Sequence, residues 1–170
     1  MTQRERLLEE RIMVDAAPAD VHRLVSDLRN MGRWSPECRR VWLPRSPARP
    51  GARFIGFNRR GLFVWFTTGR ITVLRAPQAP AWTGEFGFDV GIFGLPIARW
   101  GYRFEPEGDG TRVTETWQDL RTGRGAGLAD LLGAVFAGTR PARRVEVNRA
   151  GMRTTLARLA AACGRSRTAR

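Results

Sequence analysis

The stretch WGYRFEPEGDGTRVTETW, residues 100–117, reads as one strand turned back on another. Trp100, Tyr102 and Phe104 alternate with smaller or charged residues, and EGDG (107–110) supplies the turn. In the second arm Val113, Glu115 and Trp117 share one face, while Arg112, Thr114, Thr116 and Gln118 share the other. Successive strand side chains point to opposite faces. If Val113 and Trp117 face a core, Glu115 must face it too.

The same pattern extends upstream. Strands are expected at Arg39–Leu43, Ala52–Asn58, Leu62–Leu74, Ala81–Phe88, Ala98–Glu105 and Thr111–Asp119. They are punctuated by SPARPG, NRRG, APQAP, GIFGLP and EGDG. Short connections make consecutive strands antiparallel. A first strand is expected at Leu8–Asp15. Pro18 and Asp20 then open a helix whose Val21, Leu24, Val25 and Leu28 fall on one face. A helical turn over Arg29–Arg33 follows, ending before Pro36.

At the other end the period changes. Leu128, Leu131, Leu132, Val135 and Phe136 share a face, and Val145, Met152, Leu156, Leu159 and Cys163 continue at helical spacing beyond Pro141. We read one long C-terminal helix, interrupted near Gly138–Pro141, and a basic tail over residues 164–170. The expected fold is α+β: a curved seven-stranded antiparallel sheet around a long C-terminal helix, with two short helices after the first strand. Residues 1–163 form a single domain. A bent wall and a cylinder do not match in shape, so a pocket is expected between them.

Composition narrows the class. With 42% apolar and 26% charged residues, the chain is globular and not disordered. No run approaches the roughly 18–20 apolar residues of a membrane span, and charges are scattered through MTQRERLLEERIMV where a signal peptide needs an apolar block. A cytoplasmic protein is expected, with Cys38 and Cys163 as free thiols. The net charge is +13, with every basic residue an arginine. Residues 139–170 hold nine arginines against one acid, Glu146, a run that is read first as a solvated face and, as the alternative, as a binder of nucleic acid or anionic membrane. The aromatics lie elsewhere: all but Phe136 fall between Trp34 and Trp117, whereas single-strand binders interleave aromatics with charge. No specific nucleic-acid partner is expected, and membrane contact and oligomeric state stay open.

The segments APADVHRLVSDLRNMGRWSPE (17–37), GARFIGFNRRGLFVWFTTGRITVL (51–74) and WGYRFEPEGDGTRVTETW, in this order, resemble the START-like helix-grip superfamily. More narrowly, they resemble the polyketide cyclase/dehydrase and lipid-transport-type family. The resemblance runs from about Ile12 to Leu159, and it implies a hydrophobic small-molecule ligand held by a carrier or a cyclase/dehydratase-type enzyme. His22 departs from it, because members often carry Trp at that place.

Glu115 is the candidate catalytic residue, since a carboxyl in an apolar cavity has its pKa raised and can serve as general acid or base; the alternatives are a structural pair with an arginine or a rim position in water. The expected ligand-binding wall is Trp65, Trp82, Trp100, Tyr102, Phe63, Phe86 and Trp117, against plain core packing as the alternative. Asn58 is either an inward amide that anchors a ligand carbonyl or a residue of the NRRG turn. His22, the single histidine, falls off the apolar helix face and is expected in solvent; one histidine makes a zinc site or a catalytic triad improbable. GRGAGLAD (123–130) lacks the third glycine of a dinucleotide fingerprint, and no cofactor or metal is expected. The apolar loop DVGIFGLP (89–96) is read as a lid over the pocket mouth, or as a contact with a membrane or a second subunit.

Overall fold

The structure, a computed structural model, describes residues 7–44, 48–121, 126–128, 130–131 and 143–168. Seven strands form one sheet: β1 (Leu7–Val14), β2 (Cys38–Trp42), β3 (Arg53–Arg60), β4 (Phe63–Arg75), β5 (Gly84–Ile92), β6 (Leu95–Glu107) and β7 (Gly110–Asp119). Their order is β1-β7-β6-β5-β4-β3-β2, with every neighbour antiparallel. Helix α1 (Pro18–Ser26) and a 3-10 turn (Leu28–Asn30) running into α2 (Met31–Trp34) follow β1, and α3 (Arg144–Thr168) ends the chain. This is the antiparallel sheet and long helix expected from the alternation and the breakers, and the helix-grip fold that the resemblance implies.

The sheet bends where its register shifts, at Cys38/Arg40, Ile71/Val73 and Val90/Gly91. An extra residue on one strand increases local twist and curls the sheet. Gly69 sharpens the curve by letting the Phe54 ring lie flat over β4: a Cβ there would come within 2.1 Å of that ring.

Helix α3 lies along β1 on the concave side. Met152, Leu156, Leu159 and Cys163 are buried in the face expected from their spacing, and Val145 packs beside Leu8, Ala98 and Trp117. Arg149 and Arg153 both reach Glu10 of β1, at 3.0 and 3.1 Å. The helix continues to Thr168, past the Gly164 where the sequence suggests a tail. Leu128 and Leu131 are exposed. The interruption expected at Gly138–Pro141, and Leu132, Val135 and Phe136, lie outside the described residues.

Two expected elements differ. The strand expected from Ala81 begins only at Gly84, because residues 76–83 form turns. The DVGIFGLP segment is no loose loop. Ile92 pairs with Leu95 across a two-residue turn in which Phe93 and Gly94 both have positive φ (49° and 81°). Such turns match the twist of a hairpin, and β5 and β6 run into one another with almost no loop.

Candidate functional site

The concave face is covered unevenly. Helix α1 lays Val21, His22 and Val25 over the ends of β5, β6 and β7 where Phe86, Phe104 and Val113 are buried. Toward the opposite end, none of the described residues fills the space between α2, the N-terminal half of α3 and the sheet. A cavity of about 210 Å³ remains there.

Alternation brings most of the expected residues onto its wall. Trp65, Trp100, Tyr102, Trp117, Glu115 and Asn58 all line it. Three others do not. Trp82 sits in the turn before β5 and is 58% exposed. Phe63 is half exposed at the end of the β3–β4 hairpin. Phe86 is buried in the part of the core that α1 covers, stacked beside Tyr102. Trp82 falls outside the strand, whereas for Phe63 and Phe86 the reason is what covers the side chain, which face parity alone does not specify.

Glu115 is the chemical centre. Its side chain is wholly buried, the Tyr102 hydroxyl donates to its Oε1 at 2.7 Å, and its Oε2 has no partner. Burial pushes its pKa up to about 8, with the charge of nearby Glu10 adding to the rise and the Tyr102 hydrogen bond opposing it. The carboxyl is therefore mostly protonated at neutral pH. Burial, followed by the neighbouring Glu115 charge, raises the Tyr102 phenol well above its ordinary range, so that group stays a donor. The Tyr102 ring is fixed between Phe86 and Phe104, with centroids 6.3 and 6.4 Å away.

Asn58 lies within β3 and not in the hairpin turn, which falls at Gly61-Leu62. Its amide nitrogen donates to the Gly56 carbonyl (3.2 Å) and to Thr67 Oγ1 (3.3 Å). With both protons used inside the sheet, it offers a ligand an acceptor oxygen and not the donor expected for a ligand carbonyl.

The polar groups at the two ends of the cavity were not foreseen. At one, the Arg60 guanidinium bonds Glu37 (Nε to Oε1 2.9 Å) and lies over the Trp65 ring. At the other, Arg121 and Arg144 meet Asp119 and Asp130, with Arg144 Nη2 2.9 Å from Asp130 Oδ1. These four side chains are nearly buried and balance in charge, as burial of ions requires. Their only sequence signal is that Asp119 and Arg121 stand two apart at the end of a strand. Cys38 also faces the cavity, where burial pushes its thiol up to about 11 and keeps it protonated.

His22 is a correction. It is 5% exposed, packs edge-on against Phe104 at 5.4 Å, and hydrogen-bonds the Glu85 backbone. Burial lowers its pKa, so it is a neutral core residue. Among the described residues no cluster of three His, Cys, Asp or Glu side chains is placed to hold a metal, and no helix is long and apolar enough to cross a membrane.

Among the described side chains of α3, Arg149 and Arg153 are held by Glu10 and Arg144 by the two aspartates, while Arg143, just before the helix, pairs with Glu146 at the surface. Arg158 donates to the carbonyls of Trp34 and Ser35.

Known structures share this architecture. The ZhuI aromatase/cyclase from Streptomyces sp. R1128 superposes with a TM-score of 0.63 at 12% identity, over 94% of each chain. The Polyketide_cyc-like protein Cgl2372 from Corynebacterium glutamicum gives 0.52 at 24%, over 93% of this chain and 91% of that one. The di-domain ARO/CYC BexL of the BE-7585A biosynthetic pathway gives 0.59 at 23%, over 91% of this chain and 45% of BexL, so this chain spans about half of it. No curated protein matches in sequence. The family model described as polyketide cyclase/dehydrase and lipid transport matches residues 6–164. With nearly the whole chain covered by that match, the protein belongs to the polyketide cyclase/dehydrase and lipid transport family.

Proposed function

We propose that the protein binds a hydrophobic, ring-containing small molecule in the concave cavity and acts on it as a cyclase/dehydratase-type acid through Glu115. The observation that carries this reading is a buried carboxyl on the wall of a cavity that also presents Trp65, Trp100 and Trp117, with its Oε2 lacking a hydrogen-bond partner. Ring burial at about 25 cal/mol per Å² supplies affinity. Tyr102 holds the carboxyl in place through Oε1, and Oε2 is left without a partner. In a dehydration, Glu115 gives its proton to the hydroxyl that departs as water. The resulting carboxylate then takes a proton from the adjacent carbon as the double bond forms. The proton count of the site is restored, and no cofactor is consumed.

Related aromatase/cyclases support the reaction class, and the family name also covers transport. Carriage of a hydrophobic molecule uses the same cavity without the proton transfer. Titrating a polycyclic phenol while following tryptophan fluorescence tests the binding half. Trp65→Ala is expected to weaken binding at least about tenfold, since it removes a full ring contact. Incubation with a β-hydroxy ketone tests the chemistry: Glu115→Gln should retain the guest and lose water elimination. Equal turnover in wild type and Glu115→Gln overturns the acid role, and guest binding without turnover in either assigns carriage.

A further inference from the structure

The convex side of the sheet carries an apolar surface that the cavity does not explain. Trp42 of β2, Ile55 and Phe57 of β3, and Val64 and Phe66 of β4 share the outer face by register: Trp42 opposite Ile55, and Phe57 opposite Phe66. Phe66 meets Phe93 edge-on at 5.7 Å. Trp42, Phe57, Val64 and Phe66 are all exposed. A contiguous patch of this kind marks a contact site.

Its most protruding members are two turn tips. Leu62, at the β3–β4 turn, is 94% exposed, and Phe93, at the β5–β6 turn, is 64% exposed. Phe93 holds a positive φ of 49°, a conformation that favours glycine, at the tip of its turn. The same two hairpins border the cavity: Arg60 and Trp65 flank the first turn, Ile92 and Ile97 the second, and all four line the cavity. The apolar tips therefore stand at the cavity's own rim.

The charged side chains of β2 and β3 are all arginine. Arg39 and Arg40 of β2 and Arg59 of β3 are exposed beside it, and among the described residues none of the three is in an ion pair. Arg59 donates only to the Gly61 carbonyl of its own turn, at 3.0 Å. A second copy of a +13 chain is repelled from such a surface. A flat protein interface leaves no use for side chains that project from turn ends, whereas the interface of a bilayer takes protruding aromatic and aliphatic groups, with arginines at the phosphate level.

We propose that the β3–β4 and β5–β6 hairpin tips dock on a bilayer surface bearing anionic phospholipid, Leu62 and Phe93 entering the interface and Arg39, Arg40 and Arg59 resting on the lipid phosphates. Docking in this pose brings the cavity rim to the lipid, so a hydrophobic guest passes between bilayer and cavity without crossing water. The pose stands whichever guest the cavity holds.

Co-sedimentation of the full chain with vesicles tests it. Wild type is expected to bind phosphatidylcholine vesicles containing phosphatidylglycerol, more weakly as salt rises, and not phosphatidylcholine alone. The double variant Leu62→Asp/Phe93→Asp should lose at least about tenfold in partitioning, and Arg40→Gln and Arg59→Gln about fivefold each. Leu7→Asp/Met13→Asp, on the exposed face of the opposite sheet edge, should bind as wild type. Quenching of the cavity tryptophans by the phenol probe, unchanged in all of these, reports an intact fold and separates this result from failure of the ligand reading. Absence of anionic-vesicle binding overturns the proposal, as does retention of it in both the tip and the arginine variants. Capture by an acidic protein with no vesicle binding reassigns the patch to that partner.

Discussion

At one end of the concave face, Phe86, Phe104 and Val113 meet α1 and are closed off from solvent and from one another's gaps. At the other, Trp65, Trp100 and Trp117 stand on the same sheet, in the same alternation, and line the cavity that the described parts of α2 and α3 leave open. Both ends are aromatic, and strand chemistry does not separate them. The difference is whether a helix arrives. The titratable groups divide the same way, with a neutral histidine in the filled end and a protonated carboxyl in the hollow one.

Removing a ring from each end should therefore have opposite consequences. Phe104→Ala opens a void under α1 and is expected to cost about 3–5 kcal/mol in denaturant unfolding. Trp65→Ala, half-buried at the rim, should cost far less while abolishing most guest binding. Equal stability losses would erase the distinction between core and cavity. Gly69→Ala sets a methyl group against the Phe54 ring and is expected to destabilise by about 1–3 kcal/mol, read in the same titration.

Tyr102→Phe leaves Glu115 Oε1 without its donor, at an expected cost of about 1–3 kcal/mol. Because that hydrogen bond lowers the Glu115 pKa, its loss should move the carboxyl above 8, visible by carbonyl-stretch infrared titration. The wild-type pH profile has two arms. Glu115 has a folded pKa raised from 4.5 to about 8, so the folded state binds the extra proton and stability is lost as pH rises through that interval. His22 has a folded pKa lowered from 6.5, so the unfolded state binds the extra proton and stability is lost as pH falls below 6.5. Glu115→Gln should flatten the alkaline arm alone, and His22→Phe the acid arm alone, in thermal melts across pH. The smallest effect belongs to Trp82→Ala, expected within about 0.5 kcal/mol of wild type and silent in guest binding.

Sequence showed the wall but not its cover. Period-two alternation was enough to put Glu115 between Val113 and Trp117 on the concave face, and the structure finds it there. Parity says which face a side chain occupies and leaves open what lies opposite. Phe86 and Trp100 have the same parity, yet one is under α1 and the other lines the hollow. His22 illustrates the same limit from the helix. It lies just off the stripe of Val21, Leu24, Val25 and Leu28, but a short helix lying on a broad sheet buries more than its stripe. Trp82 was misplaced because the turns after APQAP extend to Thr83 and delay the strand to Gly84. The salt-bridged rim was invisible for another reason: Arg121 and Arg144 come together only when β7 and α3 are assembled, and no local spacing encodes that meeting.

The pairing of β1 with β7, Leu7 opposite Gln118, joins the first strand made to the last. During synthesis β1 must wait until β2 to β6 have been made before the strand it pairs with emerges. Contacts so distant along the chain slow a folding reaction, and an idle strand is the segment that a nascent chain most needs to shield. Because α3 packs on β1 as well, the compartment between sheet and helix takes its shape only once the two ends of this fold have met.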